Sequence, residues 1–380
     1  MYATGWLNES RMKNISYGMF QGEQILVPPT EGIKYAGSKL KLLPYILELV
    51  KSVNVHSILD GFSGSTRVSQ MLAQLGYKVT SNDVSAYSKV FATAYLKNRK
   101  SPQAYKELFD HLNHVKPVRG WFSENYGGMI DDVKKPFQLK NTMKLDAIRQ
   151  EIDNLKLSNV EKNVALSSLI LALDKVDSTM GHFSSYLAQW SPRSFNDLYL
   201  KVPSLWINKI KHDVVQKDIF DVLKNSEFDL CYFDPPYGSN NEKMPPSRVR
   251  YGSYYHIWTT VALNDKPKLF GKVNRREDSR DLEAGSVFEE FRKNEDGKYI
   301  AMQAVERMIR LANTKYIILS YSSGGRATKE ELYDIINSNG KLVKAVEVDY
   351  KKNVMGSMRW TNEWIYSDGK CYEYLFLIKK

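Results

Sequence analysis

The chain has 380 residues, of which 43% are hydrophobic and 12% aromatic. This apolar content is enough for one large domain or two ordinary ones, and it excludes a globally disordered protein. The formal charge of +11, from 54 basic and 43 acidic residues, favours a polyanionic partner such as nucleic acid, although a soluble protein can be basic without one. The two cysteines exclude a disulfide framework and a cysteine-based zinc site.

Neither a metal site nor a membrane segment is expected. The six histidines are scattered and show no metal-ligand spacing. The N-terminus lacks the apolar core of a signal peptide, and no apolar run is long enough to span a bilayer. We therefore predict a cytoplasmic protein that binds no metal and no membrane.

The first predicted elements alternate between helix and strand. Residues 1–33 are mixed and polar, and we interpret them as an N-terminal extension. Apolar residues then recur with helical spacing at residues 38–53, 66–75 and 85–97, while short apolar strands are predicted at 57–60 and 77–80. This order predicts a parallel sheet with crossover helices.

The segment from residue 98 to residue 205 differs in character. It is charged, lacks strand alternation, and has helical patterns at 145–155 and 159–176, so we predict an inserted helical module. The α/β pattern returns at 212–223 and in a strand at 228–233. Residues 238–258 are polar and aromatic, and we predict an exposed loop or hairpin there. The remaining predicted elements are a helix at 300–312, a strand at 315–321, a capped helix at 328–340, and closing strands at 342–350 and 374–378.

The tetrapeptide Asp234-Pro235-Pro236-Tyr237 follows the apolar strand at 228–233. Ligands of open α/β sheets bind at the carboxyl ends of the strands. Prolines stiffen the backbone and supply no amide donor, so nearby carbonyls stay available as acceptors. This combination suits the binding of a planar base through its exocyclic amine, followed by chemistry on the amine nitrogen.

A glycine-containing turn, Asp60-Gly61-Phe62-Ser63-Gly64, lies between a predicted strand and a helix. Glycines there allow a ligand to approach the backbone, and the helix N-terminus offers free amides. Asp83, at the end of the next strand, could bind both hydroxyls of a ribose. A dinucleotide site or an ordinary tight turn would look similar, but the full G-x-G-x-x-G pattern is absent, which favours a nucleoside without a pyrophosphate.

Asp218 precedes Ile219 and Phe220 at the start of a predicted helix. Its carboxylate could lie beside an adenine ring, with Ile219 or Phe220 as an apolar face. The alternative is an ordinary helix-capping aspartate.

Taken together, these stretches resemble the DNA adenine methylase (Dam-like) family of S-adenosylmethionine-dependent amino-methyltransferases. Residues 34–39 (KYAGSK) are similar to the family's opening motif, which lines the methionine end of the cofactor, although Ser38 replaces a glycine. The turn at 60–64 resembles the glycine motif, with Ser65-Thr66 where a further glycine is common. Asp83 resembles the ribose-binding acid, and Asp234-Pro235-Pro236-Tyr237 the catalytic motif. Looser matches are residues 318–321 and 373–376.

The resemblance implies a fold, a cofactor and a set of site residues. The fold is the α/β class I methyltransferase sheet, seven-stranded and mostly parallel, with helices on both faces. It implies three parts: an extension (1–33), a catalytic domain (34–97 and 206–380), and an inserted helical target-recognition domain (98–205). The cofactor-binding residues are Tyr35, Gly37, Lys39, Asp60, Phe62, Ser63, Gly64, Asp83, Asp218, Ile219 and Asp234; the catalytic residues are Asp234, Pro235, Pro236 and Tyr237.

The implied reaction is methyl transfer to N6 of an adenine flipped out of double-stranded DNA. The Asp234 carboxylate and the Pro235 carbonyl would each accept a hydrogen bond from the amine, and Tyr237 would stack on the base. The alternative is that Tyr237 has no contact with the base and is an ordinary core tyrosine after a turn. Lys243, Arg248 and Arg250, with Tyr251, Tyr254 and Tyr255 beside them, could contact DNA phosphates and bases, or they could form a solvated basic loop.

Other functions remain open at this point. The same unit could methylate the N4 amine of cytosine or an RNA base, or it could be a catalytically silent DNA-binding subunit. A site-specific DNA methyltransferase could serve a restriction-modification system with a separate restriction endonuclease, or act as an orphan enzyme.

Overall fold

The structure is a computed structural model that describes residues 16–20, 23–129, 135–224, 226–238, 250–280, 285–349 and 372–380. Its strands are β1 (Ser16–Phe20), β2 (Glu23–Val27), β3 (Ser57–Asp60), β4 (Lys78–Asn82), β5 (Gly127–Gly128), β6 (Phe137–Gln138), β7 (Asp213–Val215), β8 (Glu227–Phe233), β9 (Leu269–Phe270), β10 (Arg275–Arg276), β11 (Asn313–Ser322), β12 (Lys341–Asp349) and β13 (Tyr372–Lys379).

The helices are α1 (Leu43–Lys51), α2 (Arg67–Gln74), α3 (Ala86–Leu96), α4 (Lys106–His114), α5 (Trp121–Tyr126), α6 (Leu139–Asn154), α7 (Asn159–Val176), α8 (Ile219–Leu223), α9 (Tyr251–Tyr254), α10 (His256–Leu263), α11 (Ile300–Leu311) and α12 (Lys329–Asn339).

The central sheet has seven strands in the order β12-β13-β11-β8-β3-β4-β7. Neighbouring strands are parallel, except that β13 runs antiparallel to both β11 and β12. This is the sheet of the class I methyltransferases, and it confirms the predicted fold class. The carboxyl ends of β3, β4 and β8 lie side by side, so the segments that follow these strands meet at one edge of the sheet.

Alternating side chains of the strands are buried on opposite faces of the sheet. Ile58 and Leu230 belong to an apolar cluster with α1 and α2. Leu59 and Cys231 belong to a second cluster with α8, α11 and α12. Because both faces are covered, the central strands are nearly continuous apolar runs, which is why they are easily found in the sequence.

A third apolar cluster joins α3 to the helices of the insert and to α10. The longest of these helices, α7, begins with a capping box at Ser158, whose side chain accepts a hydrogen bond from Glu161 N. The predicted helix at 159–176 has the observed bounds of α7. The division of the chain into three parts nevertheless remains a prediction, because a shared core does not define independent folding units.

Two segments differ from the predictions. Within the expected extension, β1 and β2 pair as antiparallel strands. The prediction of an exposed loop at 238–258 is wrong for residues 251–258. These residues belong to α9 and the first part of α10, and Tyr254, Tyr255 and Trp258 are buried.

The described ranges contain no helix that is long and apolar enough to cross a membrane. They also contain no group of three or more His, Cys, Asp or Glu side chains that could hold a metal ion.

Candidate active site

The tetrapeptide Asp234-Pro235-Pro236-Tyr237 directly follows β8 at the carboxyl edge of the sheet. The Asp234 side chain is only 15% exposed. The Tyr237 backbone carbonyl accepts a hydrogen bond from Arg326 N at 2.9 Å, which attaches the end of the tetrapeptide to the segment after β11. The motif is therefore held by the sheet on one side and by a neighbouring loop on the other.

Lys39 of the opening motif is the direct partner of Asp234. Its ammonium lies 3.0 Å from Asp234 Oδ1 and donates to the Tyr237 hydroxyl at 3.3 Å. A second carboxylate, Glu373 on β13, has Oε2 3.6 Å from the same ammonium. The structure thus brings two predicted motifs into contact and adds Glu373, to which the sequence assigned no role beyond strand membership.

The protonation of Asp234 depends on this environment. Its pKa is raised to about 6, because burial and the negative charge of Glu373 together outweigh the opposite effect of the Lys39 ammonium. For Lys39, burial alone lowers the pKa, but Asp234 and Glu373 more than reverse this, so the pKa is raised. Because Lys39 lies between two carboxylates, we take it as protonated and Asp234 as ionised near neutral pH.

The glycine turn leaves no room for larger residues. A Cβ on Gly61 would lie 2.8 Å from Phe233 Cδ1 and 3.0 Å from Ile219 Cδ1. Gly64 has φ +48, in the left-handed region, and its amide donates to Asp83 Oδ2 at 2.8 Å. The predicted glycine motif and the predicted ribose acid therefore contact each other directly.

Asp83 follows β4 and is fixed by backbone donors on both oxygens. Its Oδ1 accepts from Ser85 N at 2.8 Å, and burial raises its pKa. Each carboxylate oxygen has a second lone pair, so further hydrogen bonds to a ligand are possible.

A cavity of about 400 Å³ opens in front of Asp83; we call it the strand-end cavity. Its lining includes the predicted cofactor residues Tyr35, Gly37, Phe62, Asp83, Asp218, Ile219 and Asp234. Both roles considered for Asp218 are compatible with the structure, since it caps α8 through Phe220 N at 2.8 Å and also lines this cavity.

Asp60 lies below the turn and is 1% exposed. Its Oδ2 accepts from Ser69 Oγ at 2.6 Å, whereas Oδ1 is buried without a hydrogen-bond partner among the described residues. Burial raises its pKa to about 7. Asp60 borders a small adjoining cavity together with Tyr35, Lys39, Ser63 and Gly64. An unsatisfied buried acceptor here fits the amino group of a bound methionine moiety.

A second cavity, of about 510 Å³, lies on the other side of the opening motif; we call it the tyrosine cavity. It is lined by residues from four separate segments: Lys34–Gly37, Met180–His182, Tyr237–Gly238 and Tyr251–Tyr255, with Glu289 at its margin. Tyr35, Gly37 and Tyr251 also line the strand-end cavity, so the two spaces share one wall.

Tyr251 in α9 and Tyr255, the residue between α9 and α10, hold the opening motif in place. Ala36 N donates to the Tyr255 hydroxyl at 2.6 Å, and the Tyr251 hydroxyl donates to Ala36 O at 3.1 Å. The rings of Tyr35 and Tyr255 stack with centroids 4.6 Å apart. The expectation that Tyr254 and Tyr255 lie in an exposed loop is therefore wrong, because both are buried in this aromatic wall. Their contact with a DNA base stays a prediction, since both line the tyrosine cavity.

The opening motif is also bound to the end of α7. Lys34 N donates to Asp174 Oδ2 at 3.0 Å, and the Lys34 ammonium pairs with the buried Asp177. Arg193 reaches the same Asp177 carboxylate, with Nε 2.9 Å from Oδ1. This ion network fixes the segment that carries Met180 and His182 against the opening motif.

The predicted DNA-binding residues are only partly described. Lys243 and Arg248 lie outside the described residues. Arg250 is half-buried immediately before α9. Its role in DNA binding remains a prediction.

The class I sheet, the strand-end cavity and the tetrapeptide at the end of β8 define a methyltransferase. A sequence profile for the D12 class of N6 adenine-specific DNA methyltransferases matches residues 35–283. The match covers more than half of the chain, and the chain belongs to this family.

Three curated relatives are type II or modification methylases. The chain is 28% identical to the modification methylase StsI of Streptococcus sanguinis over 370 residues, covering 92% of this chain and 52% of StsI. It is 25% identical to M.FokI of Planomicrobium okeanokoites over 92% of this chain and 53% of that protein. It is 26% identical to M.NlaIII of Neisseria lactamica over 92% of this chain and 99% of that protein. The chain thus spans about half the length of the first two relatives and nearly all of the third.

Proposed function

We propose that this protein transfers a methyl group from S-adenosylmethionine to N6 of an adenine in double-stranded DNA. The observation that carries the proposal is the position of Asp234-Pro235-Pro236-Tyr237 at the border of two cavities. Asp234 lines the strand-end cavity, and Tyr237 lines the tyrosine cavity. Membership of the D12 family supports the same activity.

The strand-end cavity is the proposed cofactor site. Asp83 would accept hydrogen bonds from the ribose hydroxyls, while Phe62 and Ile219 would contact the adenine ring and Asp218 its amine. Asp60 would accept from the amino group at the methionine end. When bound, S-adenosylmethionine supplies an electrophilic methyl group on a positively charged sulfur.

The proposed chemistry rests on two acceptors for the target amine. The adenine amine is a poor nucleophile because its lone pair is delocalised into the ring. The Asp234 carboxylate accepts one N–H, with Oδ1 held by Lys39, and the Pro235 carbonyl accepts the other. No donor among the described residues occupies the Pro235 carbonyl. These contacts localise the lone pair on nitrogen, and the fixed carboxylate stabilises the positive charge that develops there during transfer.

The tyrosine cavity is the proposed site of the flipped base. Tyr237 would stack on the adenine and replace the stacking lost from the duplex, a contact worth about 1–3 kcal/mol. Its ring lies under the Lys39 ammonium, 5.4 Å from the ring centroid, and its hydroxyl is hydrogen-bonded to Lys39, so its orientation is fixed before DNA binds.

Target recognition is assigned to the inserted helical segment, residues 98–205, with Lys243, Arg248 and Arg250 as candidate DNA contacts. The ion network between Lys34 and Asp177 supports this assignment, because it attaches the end of α7 to the opening motif beside the tyrosine cavity. The names of the relatives, a modification methylase and two type II methyltransferases, support a place in a restriction-modification system. A separate restriction endonuclease as partner and the cytoplasm as location stay predictions from the sequence.

The experiment is methyl transfer from S-adenosylmethionine carrying a tritiated methyl group. The acceptors are duplex DNA, the same DNA with every adenine replaced by 2-aminopurine, and RNA. We expect label only on adenine-containing duplex DNA, recovered as N6-methyladenine after digestion. Label on cytosine N4 or on RNA would replace the proposal by the corresponding alternative, and absence of transfer to any acceptor would favour the silent DNA-binding subunit.

Asp234→Ala is the matched variant. It removes the acceptor and should lower the transfer rate by at least about 10²–10³-fold. Calorimetry should still show cofactor binding, because the residues around Asp83 are unchanged. Transfer at the wild-type rate by Asp234→Ala would refute the role of this carboxylate.

A further inference from the structure

Four side chains from three distant parts of the sequence form a closed polar network under the catalytic motif. The Lys39 ammonium contacts Asp234 Oδ1 at 3.0 Å, the Tyr237 hydroxyl at 3.3 Å and Glu373 Oε2 at 3.6 Å. The Tyr237 hydroxyl in turn donates to Glu373 Oε1 at 3.4 Å. Glu373 therefore contacts the partner of the catalytic carboxylate with one oxygen and the catalytic ring with the other.

Glu373 is an unusual residue for its place in the sheet. It is 6% exposed and lies on β13, the antiparallel strand, where it pairs in register with Ser322 and Val348. The following residues, from Tyr374 to Ile378, are apolar and buried. A carboxylate at the head of this strand costs desolvation energy unless a charged partner compensates, and Lys39 is that partner.

We propose that Glu373 is a positioning residue for methyl transfer, which fixes the Asp234 carboxylate through Lys39 and the Tyr237 ring through its hydroxyl. This inference rests on the proposed function for its effect on the reaction. Its structural content, a buried link between β13 and the catalytic tetrapeptide, does not depend on the substrate.

Two physical effects follow from this arrangement. Because Lys39 is shared, Glu373 keeps the ammonium between the two carboxylates and limits rotation of the Asp234 side chain. Because Tyr237 is held at its hydroxyl, its ring cannot turn away when no base is present. Misplacement of a reacting group by about 1 Å can cost about 100-fold in rate, so such fixation matters for catalysis.

Glu373 also affects the charge of Asp234. The ionisable groups that interact electrostatically with Asp234 are Lys39 from the opening motif, Glu373 from β13, Asp60 from β3, Tyr232 from β8 and Tyr251 from α9. Glu373 raises the pKa of Asp234, because a second negative charge disfavours ionisation. Removal of that charge should therefore move the pKa of Asp234 down.

The main test is Glu373→Gln, which keeps the shape and removes the charge. We expect kcat for DNA methylation to fall about 10–100-fold at neutral pH. The acid limb of the kcat–pH profile should move to lower pH by about one unit. Carbon NMR titration of enzyme labelled at the aspartate carboxyl groups, with Asp234→Asn used to assign the signal, should show the same shift without DNA.

A double-mutant cycle tests the contact with the ring. Tyr237→Phe removes the hydroxyl, and Glu373→Ala removes its acceptor. If Glu373 acts through Tyr237, the two losses in kcat should combine less than additively. Glu373→Asp is a second variant in case the larger changes impair folding: it keeps the charge but shortens the reach, so kcat should fall while the acid limb stays near the wild-type position.

Glu48→Gln is the control. It removes another partly buried carboxylate that pairs with a lysine, Glu48 Oε1 lying 2.5 Å from Lys344 Nζ, without a contact to the catalytic motif. It should leave both the acid limb and kcat unchanged. The proposal would be overturned if Glu373→Gln kept the wild-type kcat and the wild-type titration of Asp234. It would also be overturned for the ring if the losses in kcat of Tyr237→Phe and Glu373→Ala were additive. Failure of the wild-type enzyme to methylate DNA would instead overturn the proposed function, and the NMR titration would still decide the role of Glu373.

Discussion

The strand-end cavity and the tyrosine cavity share one wall but are built in different ways. About half of the residues that line the first cavity follow β3, β4 or β8 or lie at the start of α8, and the sheet topology fixes the position of these residues. The other lining residues come from the opening motif, α9, α10 and the segment 276–289. The second is assembled from the opening motif, the end of the insert, the catalytic tetrapeptide and α9. The comparison shows that the sheet positions about half of the proposed cofactor site, whereas the proposed base site depends mainly on contacts among four separate segments.

The largest expected effect concerns the tyrosine cavity alone. Tyr237→Ala removes the proposed stacking surface, a loss of about 1–3 kcal/mol, which corresponds to a decrease of about 5–150-fold in kcat/KM for DNA. Cofactor affinity, measured by calorimetry, should change much less. Tyr237→Phe, which keeps the ring, should retain more activity than Tyr237→Ala; equal losses would show that stacking is not the function of this ring.

The next effect concerns the strand-end cavity. Gly61→Ala places a Cβ 2.8 Å from the Phe233 ring, and such overpacking typically costs about 1–3 kcal/mol. We expect weaker cofactor binding by calorimetry and a lower melting temperature. Gly324→Ala is the control, because its Cβ would meet nothing closer than Ser322 Oγ at 3.9 Å. Unchanged cofactor affinity in Gly61→Ala would contradict the assignment of this cavity.

The pH dependence of catalysis tests the role of Asp234, which lies at the border between the two cavities. The amine must donate to Asp234, so the ionised carboxylate is the active form, and its pKa is raised by burial to about 6. Single-turnover methylation should be fully active above this pH and fall about tenfold for each unit below it. Circular dichroism at each pH separates this loss from unfolding. A rate that stays constant well below pH 6 would exclude Asp234 as the acceptor.

The smallest expected effect comes from the aromatic wall. Tyr255→Phe removes the acceptor for Ala36 N, a hydrogen bond with a net contribution of about 0.5–1.5 kcal/mol. Urea unfolding should show a loss of this size, and KM for DNA should rise more than KM for the cofactor. An increase confined to the cofactor KM would mean that the opening motif serves the strand-end cavity only.

Much of the sheet could be predicted from the sequence because its strands are buried on both faces. The strand predicted at 57–60 has the observed bounds of β3, and the helix predicted at 85–97 differs from α3 by one residue at each end. The tetrapeptide at 234–237 could also be found in the sequence, because an acid and two prolines directly after an apolar run are an uncommon combination.

The helices α9 and α10 could not be predicted in this way. Their tyrosines and histidine look polar in the sequence, yet Tyr255 and His256 are buried, and a polar atom of each finds a partner in a distant segment. Burial lowers the pKa of His256 to about 3, which keeps it neutral inside the core. Only the folded chain shows that the Tyr255 hydroxyl and His256 Nε2 have partners in other segments, whereas His256 Nδ1 is buried without a hydrogen-bond partner among the described residues.

The sequence by itself determined a parallel α/β sheet, the order of its motifs and the chemical groups at the ends of the strands, because these follow from local apolar periodicity and short-range spacing; the seven-stranded class I fold was implied by the family resemblance. The tertiary structure alone decided which charges meet. Lys39, Asp234 and Glu373 are separated by most of the chain, and their contact depends on antiparallel insertion of β13 beside β11. Such a contact leaves no periodic signal in the sequence, since its energy comes from burial and charge pairing between residues that only the completed sheet brings together.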